Sequence, residues 1–343
     1  MNARGPVRRP RTPSLSPAAD DWLARMRQVL ILGGTAWLGR ALAAHALAQG
    51  AEVTCLARGE SGETAPGARL IRADRGVPDA YARVQRDWDE VVELSWDAGF
   101  VASALDALAD RAAHWTLVSS VSVYARSDIP FADESAELVE PSDLDQYADA
   151  KVHAERLTSA RLGDRALLAR AGLIVGPGDP SDRFGYWPAR FARGGRVLVP
   201  ETSGRHAQAI DVDDLAAWIE HAGRTGVTGP INAVGEELPL AAVLAAARDA
   251  AAVPGATVAV DDDTLTARGV AYWAGPRSLP LWLPVSAGGF ARRSDAAFVA
   301  SGGRRRPLAE TMRRTLEDET ARGLDRPRRA GLTLDEEAEV LGD

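Results

Sequence analysis

Short hydrophobic runs alternate with helix-forming segments along the first half of the chain. Continuous apolar runs of this length are typical of parallel strands that are buried on both faces of a sheet. They predict strands at 29–32, 52–56, 70–71, 90–95, 115–118 and 165–171. Helices are predicted between them at 41–48, 100–111 and 147–162. Strands that alternate with helices in this way predict an α/β fold built on a doubly wound parallel sheet.

The alternation becomes less regular in the second half of the chain. Helices are predicted at 184–193, 239–251, 307–322 and 334–341, and strands at 196–199, 230–234 and 257–260. Residues 209–221 predict a strand that leads into a helix, and 273–289, rich in Trp, Pro and Gly, predict a packed lid or a subunit contact. We therefore expect a smaller C-terminal lobe of mixed α+β structure.

Composition limits the classes of function. With 343 residues, of which 46% are hydrophobic, the chain can bury a large core. A formal charge of −8 without a long basic run gives no support for nucleic-acid binding. No apolar stretch approaches the roughly 18 residues of a membrane span, and the five histidines show no metal-ligand spacing. The single cysteine, Cys55, is expected to be a buried small residue and suits a reducing cytoplasm.

A glycine-rich segment follows the first predicted strand and leads into the first helix. Its sequence is Gly33-Gly34-Thr35-Ala36-Trp37-Leu38-Gly39-Arg40. Strand, glycine turn and helix, in this order, bind the pyrophosphate of a dinucleotide at the helix N-terminus in a Rossmann fold. Gly33 is expected to permit the tight turn, and Gly39 to let the helix pack closely against the strand. The residues predicted to bind such a cofactor are Gly33, Thr35, Ala36, Trp37, Leu38 and Gly39.

Polar residues at the ends of the next strands extend this predicted site, because parallel strands share one carboxyl edge. Arg58 follows the second strand, where NAD enzymes commonly carry an acid that grips the adenosine ribose. A cation at that position suits the 2′-phosphate of NADP, so NADP is predicted, with NAD possible if Arg58 is only a solvated surface residue. Asp74 and Ser95 end later strands and either contact the cofactor or cap the following helix.

Tyr147 and Lys151 are four residues apart on a predicted helix, so their side chains lie on one face. Lys151 is the only lysine in the chain, against 39 arginines among the 40 basic residues. An ammonium about 4 Å from a phenol favours the phenolate by roughly 4 kcal/mol, enough to bring the phenol pKa near 7. The pair therefore predicts acid–base chemistry on a carbonyl or an alcohol, although an exposed surface pair has the same spacing.

Serines at the end of the fifth strand lie beside the same predicted crevice. Ser120 is predicted to hydrogen-bond the substrate oxygen and so to complete a catalytic set with Tyr147 and Lys151. Ser122 is a further candidate contact to the substrate. At least one of these serines is expected instead to satisfy backbone groups of the loop.

Together these motifs resemble the extended short-chain dehydrogenases/reductases, the NAD-dependent epimerase/dehydratase family. The resemblance covers about residues 27–320. It rests on the glycine segment, on Leu56-Ala57-Arg58-Gly59, on residues 118–124 and 170–179, and on the YxxxK pattern of Tyr147 and Lys151. The chain is also similar to a bacterial subgroup labelled isoflavone-reductase-like, a label that describes the fold more than the substrate.

The resemblance implies roles for individual residues. Tyr147 would donate or accept the proton, Lys151 would bind the nicotinamide ribose and lower the pKa of Tyr147, and Ser120 would polarise the substrate carbonyl. Asp74 would lie near the adenine. Trp96, after the fourth strand, would either trim the nicotinamide end of the pocket or only pack.

The same resemblance places Arg183, Tyr186, Trp187 and Arg205 in the segment that shapes the substrate site. Arginines there could grip a phosphate or a carboxylate of the substrate. A solvated surface role is the alternative for each of them.

These observations predict the domain organisation. Residues 1–25, rich in Arg, Pro and Ser, are expected to be a disordered tail, and 26–176 a Rossmann domain that binds NAD(P). Residues 177–343 are expected to form mainly the substrate-binding lobe, with about 207–235 returning to the Rossmann domain. The acidic, irregular segment 130–141 is expected to be a flap over the site.

The predicted function is an NAD(P)-dependent oxidoreductase or epimerase that moves a hydride between nicotinamide and a carbonyl or alcohol carbon of a small molecule. One alternative is a non-catalytic NAD(P) sensor that binds a protein partner. Another is a lyase or dehydratase that uses the nucleotide only transiently. The protein is expected to be cytoplasmic, to bind neither nucleic acid nor membrane, and possibly to form a homodimer.

Overall fold

A computed structural model describes residues 26–253 and 255–342, so the tail expected at 1–25 lies outside the described residues. The strands are β1 Gln28–Leu32, β2 Glu52–Ala57, β3 Arg69–Arg72, β4 Trp88–Glu93, β5 Ala112–Ser120, β6 Ala166–Ala171, β7 Leu173–Val175, β8 Gly195–Pro200, β9 His206–Asp211, β10 Gly229–Ala233, β11 Glu237–Pro239, β12 Gly255–Val260, β13 Ala271–Trp273 and β14 Ser278–Pro280. The α-helices are α1 Trp37–Ala48, α2 Ala98–Leu108, α3 Tyr147–Leu162, α4 Arg183–Ala192, α5 Val212–Thr225, α6 Leu240–Ala251, α7 Asp262–Ala267, α8 Ala296–Ala300, α9 Leu308–Arg322 and α10 Leu334–Leu341.

The main sheet is the doubly wound parallel sheet that the sequence predicts. Its strands run in the order β10-β6-β5-β4-β1-β2-β3, and each neighbouring pair is parallel. The direction of winding reverses between β1 and β4. A crevice is expected outside the carboxyl ends of the strands at such a reversal, and the candidate site lies there. The strand predicted at 230–234 corresponds to β10 and forms the edge beside β6.

Helices cover both faces of this sheet, which explains the apolar runs in its central strands. All five residues of β1 are buried. On one face, α1 and α5 pack through residues such as Leu42 and Leu215. On the other face, α2 and α3 pack through residues such as Leu105 and Ala154. Because every strand in the centre is screened from water on both sides, it has no polar face to display.

The C-terminal half adds smaller sheets around a second apolar core. β11, β9 and β7 form one sheet, β12 pairs with β8, and β13 pairs with β14. The core between these sheets and helices α4, α6 and α9 contains large aromatic side chains, among them Phe184, Trp187 and Trp282. Part of the segment predicted as a packed lid or subunit contact therefore belongs to this core, since Trp282 is fully buried.

The acidic segment predicted as a flap is fixed to the C-terminal half by backbone hydrogen bonds. The Phe131 amide donates to the Arg292 carbonyl at 2.5 Å, and the Ser294 amide donates to the Ala132 carbonyl at 3.1 Å. The Gly289 amide donates to Ser127 at 2.7 Å. Two loops that are far apart in sequence are thus held together.

A buried ion pair holds helix α3 against the sheet. Arg170 on β6 donates two hydrogen bonds to the Glu155 carboxylate of α3, from Nε at 3.0 Å and from Nη2 at 2.8 Å, and both side chains are almost fully buried. Arg170 Nη1 also donates to the Tyr124 hydroxyl at 3.0 Å and to the Glu134 carbonyl at 3.1 Å. One guanidinium therefore joins the helix, the end of β5 and the predicted flap.

We expect the replacement Glu155→Leu to lower the free energy of unfolding by about 3–5 kcal/mol, because it leaves the Arg170 charge buried without its partner. Urea unfolding followed by circular dichroism measures this change. The double variant Glu155→Leu/Arg170→Met is expected to recover part of the loss, since it removes the unpaired charge. A single variant within about 1 kcal/mol of the wild type would contradict this account of the pair.

Candidate active site

Two connected hollows form a crevice along the carboxyl edge of the main sheet. The first, of about 960 Å³, lies over the glycine turn and the ends of β2, β3 and β4. The second, of about 1040 Å³, lies between the end of β5, the start of α3 and the C-terminal half. Both are open to solvent, and Leu94 and Trp96 line both of them. The two hollows therefore adjoin at Leu94 and Trp96, between the glycine turn and Tyr147.

The glycine turn has the close packing that its sequence predicts. Gly33 has φ +106°, a backbone conformation that favours glycine. A Cβ on Gly39 would lie 2.6 Å from the Gly33 carbonyl oxygen, so α1 could not pack this closely with any other residue. A Cβ on Gly34 would collide with the Cys55 side chain. Buried Cys55 is thus a packing residue, and burial raises its pKa to about 12.

The N-terminus of α1 faces the first hollow with its amides uncapped. Ala36 is the N-cap residue and lines this hollow, no side chain accepts from the cap, and the first turn holds no acid. Such a helix end carries unpaired N–H groups and a partial positive charge, which fit the pyrophosphate of a dinucleotide. Of the other predicted contacts, Thr35 is buried and lines the first hollow, whereas Trp37 and Leu38 line the second.

Trp37 joins the glycine segment to the C-terminal half. Its indole Nε1 donates a hydrogen bond of 2.7 Å to the Pro177 carbonyl. A Cβ on Gly178 would lie 3.3 Å from the same indole, and Gly178 itself has φ +79°. The bulk of Trp37 therefore occupies the junction between the two halves and leaves the pyrophosphate side of the turn open.

The polar residues predicted at the adenosine end line the first hollow together. Arg58 is exposed and pairs with Glu60 at 3.2 Å. Asp74 accepts a hydrogen bond of 2.9 Å from the Gly76 amide, and the Ser95 hydroxyl accepts one of 3.0 Å from the Asp97 amide. Ser95 does not cap α2, because the N-cap residue of that helix is Asp97. Asp74 caps no helix either, since its carboxylate accepts from the Gly76 amide in a loop.

The predicted catalytic residues meet in the second hollow. Tyr147 is the first residue of α3, and its ring, 46% exposed, faces Trp96 edge-on with the ring centroids 6.0 Å apart. Ser120 ends β5 and lines the same hollow, and its hydroxyl donates to the Ser122 hydroxyl at 3.2 Å. The Ser120 hydroxyl also accepts from the Ser122 amide at 3.1 Å, which is the loop-satisfying role expected for one of the serines.

Lys151 lies one turn further along α3 and is only 3% exposed. Its Nζ donates to the Val118 carbonyl at 2.6 Å and to the Ser95 carbonyl at 3.1 Å. It lies 5.9 Å from the centroid of the Tyr147 ring. Burial lowers the pKa of Lys151 to about 8, against the opposing charges of Glu93 and Glu155.

The protonation of Tyr147 differs from the expectation based on spacing. Desolvation raises the pKa of Tyr147, and the Ser120 hydroxyl and the positive charge of Arg183 only partly oppose this effect. The ammonium of Lys151 is held by two backbone carbonyls rather than by the phenol. The strong lowering of the phenol pKa inferred from the i, i+4 spacing is therefore not found.

The residues predicted to contact the substrate divide into two groups. Trp96, Ser122 and Arg183 line the second hollow. Tyr186 does not reach it, because its ring is 0% exposed in the C-terminal core and packs edge-on against Trp187. The substrate role expected for Tyr186 is therefore not supported by its position. It lies three positions after Arg183 on α4 but belongs to the buried part of that helix.

Arg205, another residue of the predicted substrate segment, is also structural. It donates to the Leu283 and Glu201 carbonyls, each at 2.9 Å, and pairs with Asp262. These contacts brace the C-terminal half, and Arg205 lines neither of the two hollows.

Several residues that line the second hollow were missed from the sequence. Asp179 and Ser181 follow the Gly176-Pro177-Gly178 turn, and this turn could have drawn attention to them. Trp273 and Phe290 come from the C-terminal half. Nothing in the local sequence places these two aromatic residues beside Tyr147, because only the packing of the second half brings them there.

Two further searches bear on the site. Within residues 26–253 and 255–342, no group of three His, Cys, Asp or Glu side chains is arranged to hold a metal ion. Over the same described ranges, no helix combines the length and the apolar character needed to cross a bilayer.

Comparison with solved structures shows how widely this fold occurs. A candidate epimerase from Burkholderia cenocepacia J2315 has a TM-score of 0.68 and 22% identity, over 86% of this chain and 98% of that chain. The UDP-N-acetylglucosamine 4-epimerase from Bacillus cereus has 0.65 and 15%, over 89% and 100%. The Thermus thermophilus UDP-glucose 4-epimerase, solved in complex with NAD, has 0.62 and 19%, over 87% and 99%. At these identities, the likeness concerns the fold.

Sequence comparison identifies the family. A search of curated proteins found no match to this chain. The family model of the NAD dependent epimerase/dehydratase family matches residues 29–235, which is more than half of the chain. The match begins in β1 and ends just after β10, and so contains the glycine turn, Ser120, Tyr147 and Lys151. The chain therefore belongs to the NAD-dependent epimerase/dehydratase family and is an enzyme of the extended short-chain dehydrogenase/reductase type.

Proposed function

We propose that the protein is an NAD(P)-dependent oxidoreductase or epimerase that acts on a carbonyl or alcohol carbon of a small molecule, with Tyr147 as the acid/base. One observation carries this proposal: Ser120, Tyr147 and Lys151 line one hollow, and the adjoining hollow, which shares Leu94 and Trp96 with it, lies at the uncapped N-terminus of α1. A cofactor bound along the crevice from the glycine turn would place its reactive end near Tyr147. When bound there, nicotinamide supplies or takes up the hydride.

Residues of the chain would bind the cofactor and orient the substrate. The α1 amides and Gly33 would hold the pyrophosphate, with Asp74 and Ser95 lining the adenosine side. Lys151 would bind the nicotinamide ribose through its ammonium. Ser120 would orient the substrate oxygen, and Trp96 would cover the nicotinamide end of the hollow.

The raised pKa of Tyr147 favours the protonated phenol at neutral pH. A phenol with a pKa above its ordinary value near 10 is protonated at pH 7. It can therefore donate its proton to the oxygen of a carbonyl that is being reduced. In the reverse direction, Ser120 and the positive charge of Arg183 stabilise the phenolate that forms.

We propose NADP as the preferred cofactor because Arg58 lies at the end of β2 in the first hollow. The Arg72 guanidinium lies beside Gly59, so a second cation is close to the same strand end. Glu60 lines the hollow as well and pairs with Arg58. Its carboxylate could accept from ribose hydroxyls, so NAD is the alternative cofactor.

We propose that the C-terminal half is the substrate-binding lobe. Arg183, Trp273 and Phe290 reach the second hollow from residues 177–343, whereas the predicted cofactor contacts belong to 26–176. A non-catalytic NAD(P) sensor would not need Ser120, Tyr147 and Lys151 on one crevice, so this alternative has less support. We further propose a cytoplasmic protein that acts on a small molecule as a homodimer.

We expect Tyr147→Phe to abolish turnover while it leaves cofactor affinity within a few-fold of the wild type. The ring and its contact with Trp96 remain, but the proton donor is lost, which costs about 10²–10⁴-fold in rate. NADPH oxidation over a panel of aldehydes and ketones measures the rate, and calorimetry measures cofactor binding.

Tyr272→Phe is the matched control for this experiment, because the Tyr272 hydroxyl contacts only Asp262, outside both hollows. Normal turnover by Tyr147→Phe would remove Tyr147 from the proposed role. Tight cofactor binding by the wild type without reduction of any compound in the panel would favour the sensor.

Replacement of Arg58 by alanine is expected to weaken NADP⁺ binding by roughly tenfold, about 1.4 kcal/mol, and to leave NAD⁺ binding almost unchanged. The reason is the loss of the cation that faces the 2′-phosphate. Titration calorimetry with both nucleotides gives the two affinities. Arg83→Ala removes an exposed arginine away from the hollow as the control. Equal losses for NADP⁺ and NAD⁺ would show that Arg58 does not discriminate between them.

The free energy of unfolding of the wild type, minus that of Lys151→Met, is expected to rise by about 2 kcal/mol between about pH 8 and about pH 10. Burial lowers the Lys151 pKa to about 8 in the folded protein, while the unfolded chain keeps its ordinary value. The unfolded state therefore binds more protons within this window, and the free energy of unfolding increases with pH. Urea unfolding of both proteins at the two pH values measures the difference. A difference independent of pH would contradict the lowered pKa.

A further inference from the structure

Arg183 lies in the wall of the second hollow. It is the first residue of α4 and lines the second hollow together with Ser120 and Tyr147. It is close enough to Tyr147 for the two charges to interact. A cation is thus built into the wall of the crevice where the reaction is proposed to occur.

A short relay holds the guanidinium in place. Arg183 Nε donates to the Ser181 hydroxyl at 3.1 Å, and that hydroxyl donates to the Asp179 carboxylate at 2.9 Å. The Arg183 Cζ lies 5.2 Å from the centroid of the Trp273 ring, in a cation–π contact. The side chain is therefore fixed through Nε and through one face of its plane.

The two Nη groups of Arg183 have no hydrogen-bond acceptor among the residues that the structure describes, and no described carboxylate is within ion-pair distance. Asp179 faces it, but its two oxygens accept from the Ser181 amide at 2.8 Å and from the Ser181 hydroxyl. Desolvation lowers the pKa of Arg183. The negative charge of Asp179 opposes this effect only in part. The paired donors that remain match the two oxygens of a carboxylate.

Three arginines that are buried in the fold have their own acid, whereas buried Arg293 donates to the Arg126 carbonyl at 2.7 Å and lies over the Tyr124 ring. Arg75 pairs with Glu93, Arg170 with Glu155 and Arg190 with Glu337. In each case the guanidinium and the carboxylate neutralise one another within the protein. Arg183 lies in the crevice without such a partner, and this contrast points to a ligand that brings the negative charge.

We propose that Arg183 binds an anionic group of the substrate, a carboxylate or a phosphate, close to the carbon that exchanges the hydride. The inference rests on the proposed function, since it places that carbon beside Tyr147. Because Arg183 and Tyr147 line the same hollow, the anionic group and the reacting carbon belong to one small fragment of the substrate. The substrate class is therefore a compact oxo or hydroxy acid, or its phosphate counterpart.

The test compares an anion with a neutral molecule of the same shape. Benzoate and benzamide are titrated into the protein saturated with NADP⁺, and inorganic phosphate is titrated as a separate probe. We expect benzoate to bind about tenfold more tightly than benzamide. Binding of phosphate without benzoate would identify a phosphate as the anionic group.

Variants distinguish anion binding by Arg183 from non-specific attraction by the overall charge of the crevice. Arg183→Leu is expected to bind benzoate and benzamide equally well, with unchanged NADP⁺ affinity, whereas Arg183→Lys keeps part of the preference because it keeps the charge and loses the planar fork. Ser181→Ala is expected to weaken benzoate binding less than Arg183→Leu, since it only loosens the guanidinium. Arg126→Gln, which removes an exposed arginine paired with Asp128, is the matched control and should bind both probes as the wild type does.

The proposal is overturned if neither benzoate nor phosphate binds the NADP⁺-saturated protein, or if Arg183→Leu keeps the preference for benzoate over benzamide. Its failure differs from failure of the proposed function. Reduction of neutral carbonyl compounds that depends on Tyr147, together with absent anion binding, would sink the inference alone. Absent binding of NADP⁺ and NAD⁺ would instead remove the proposed function on which the inference rests.

Discussion

The arrangement of the crevice depends on one buried ammonium. Lys151 is screened from water almost completely, and its Nζ is satisfied by the carbonyls of Ser95 and Val118, just after β4 and within β5. Burial of a charge is costly unless hydrogen bonds replace its hydration. Two carbonyls from neighbouring strands supply this replacement, and in return the lysine ties α3 to the edge of the sheet. Tyr147 owes its position over the second hollow to this attachment.

The second constraint is the Arg170–Glu155 pair, which acts one turn further along the same helix. Lys151 fixes α3 to the carboxyl edge, and Glu155 fixes it to the interior of β6. With both attachments on one face, α3 has little freedom to rotate about its axis. The two attachments explain how a tyrosine at the first position of a helix, where helices commonly fray, can be held in register with Ser120.

Local sequence was sufficient to predict the parts of the site that local chemistry controls. The glycine turn follows from the requirement for a positive φ at Gly33 and for close packing at Gly39, both visible in the sequence. The strand ends carry Asp74 and Ser95 to the same edge because parallel strands all point one way. The shared face of Tyr147 and Lys151 follows from the helical period.

The remaining features depend on contacts between distant segments. Spacing on a helix gave no measure of solvation, so it overstated the effect of Lys151 on the Tyr147 pKa, which desolvation instead raises. Tyr186 and Arg183 lie within one turn of each other on α4, but only the packing of the second core decides which of them enters the crevice. Trp273 comes to Arg183 from 90 residues away, as the two residue numbers show, through tertiary structure alone.

The solitary lysine also gives the molecule an uncommon chemical simplicity. Every other basic side chain is a guanidinium or an imidazole, so an amine-selective acylating reagent meets only one side chain, and that side chain lies beneath the crevice. Burial lowers its pKa to about 8 and leaves it only 3% exposed, so modification at this residue requires the surrounding segments to open. The extent of modification therefore reports how tightly the crevice closes around this amine, and it needs no knowledge of the substrate.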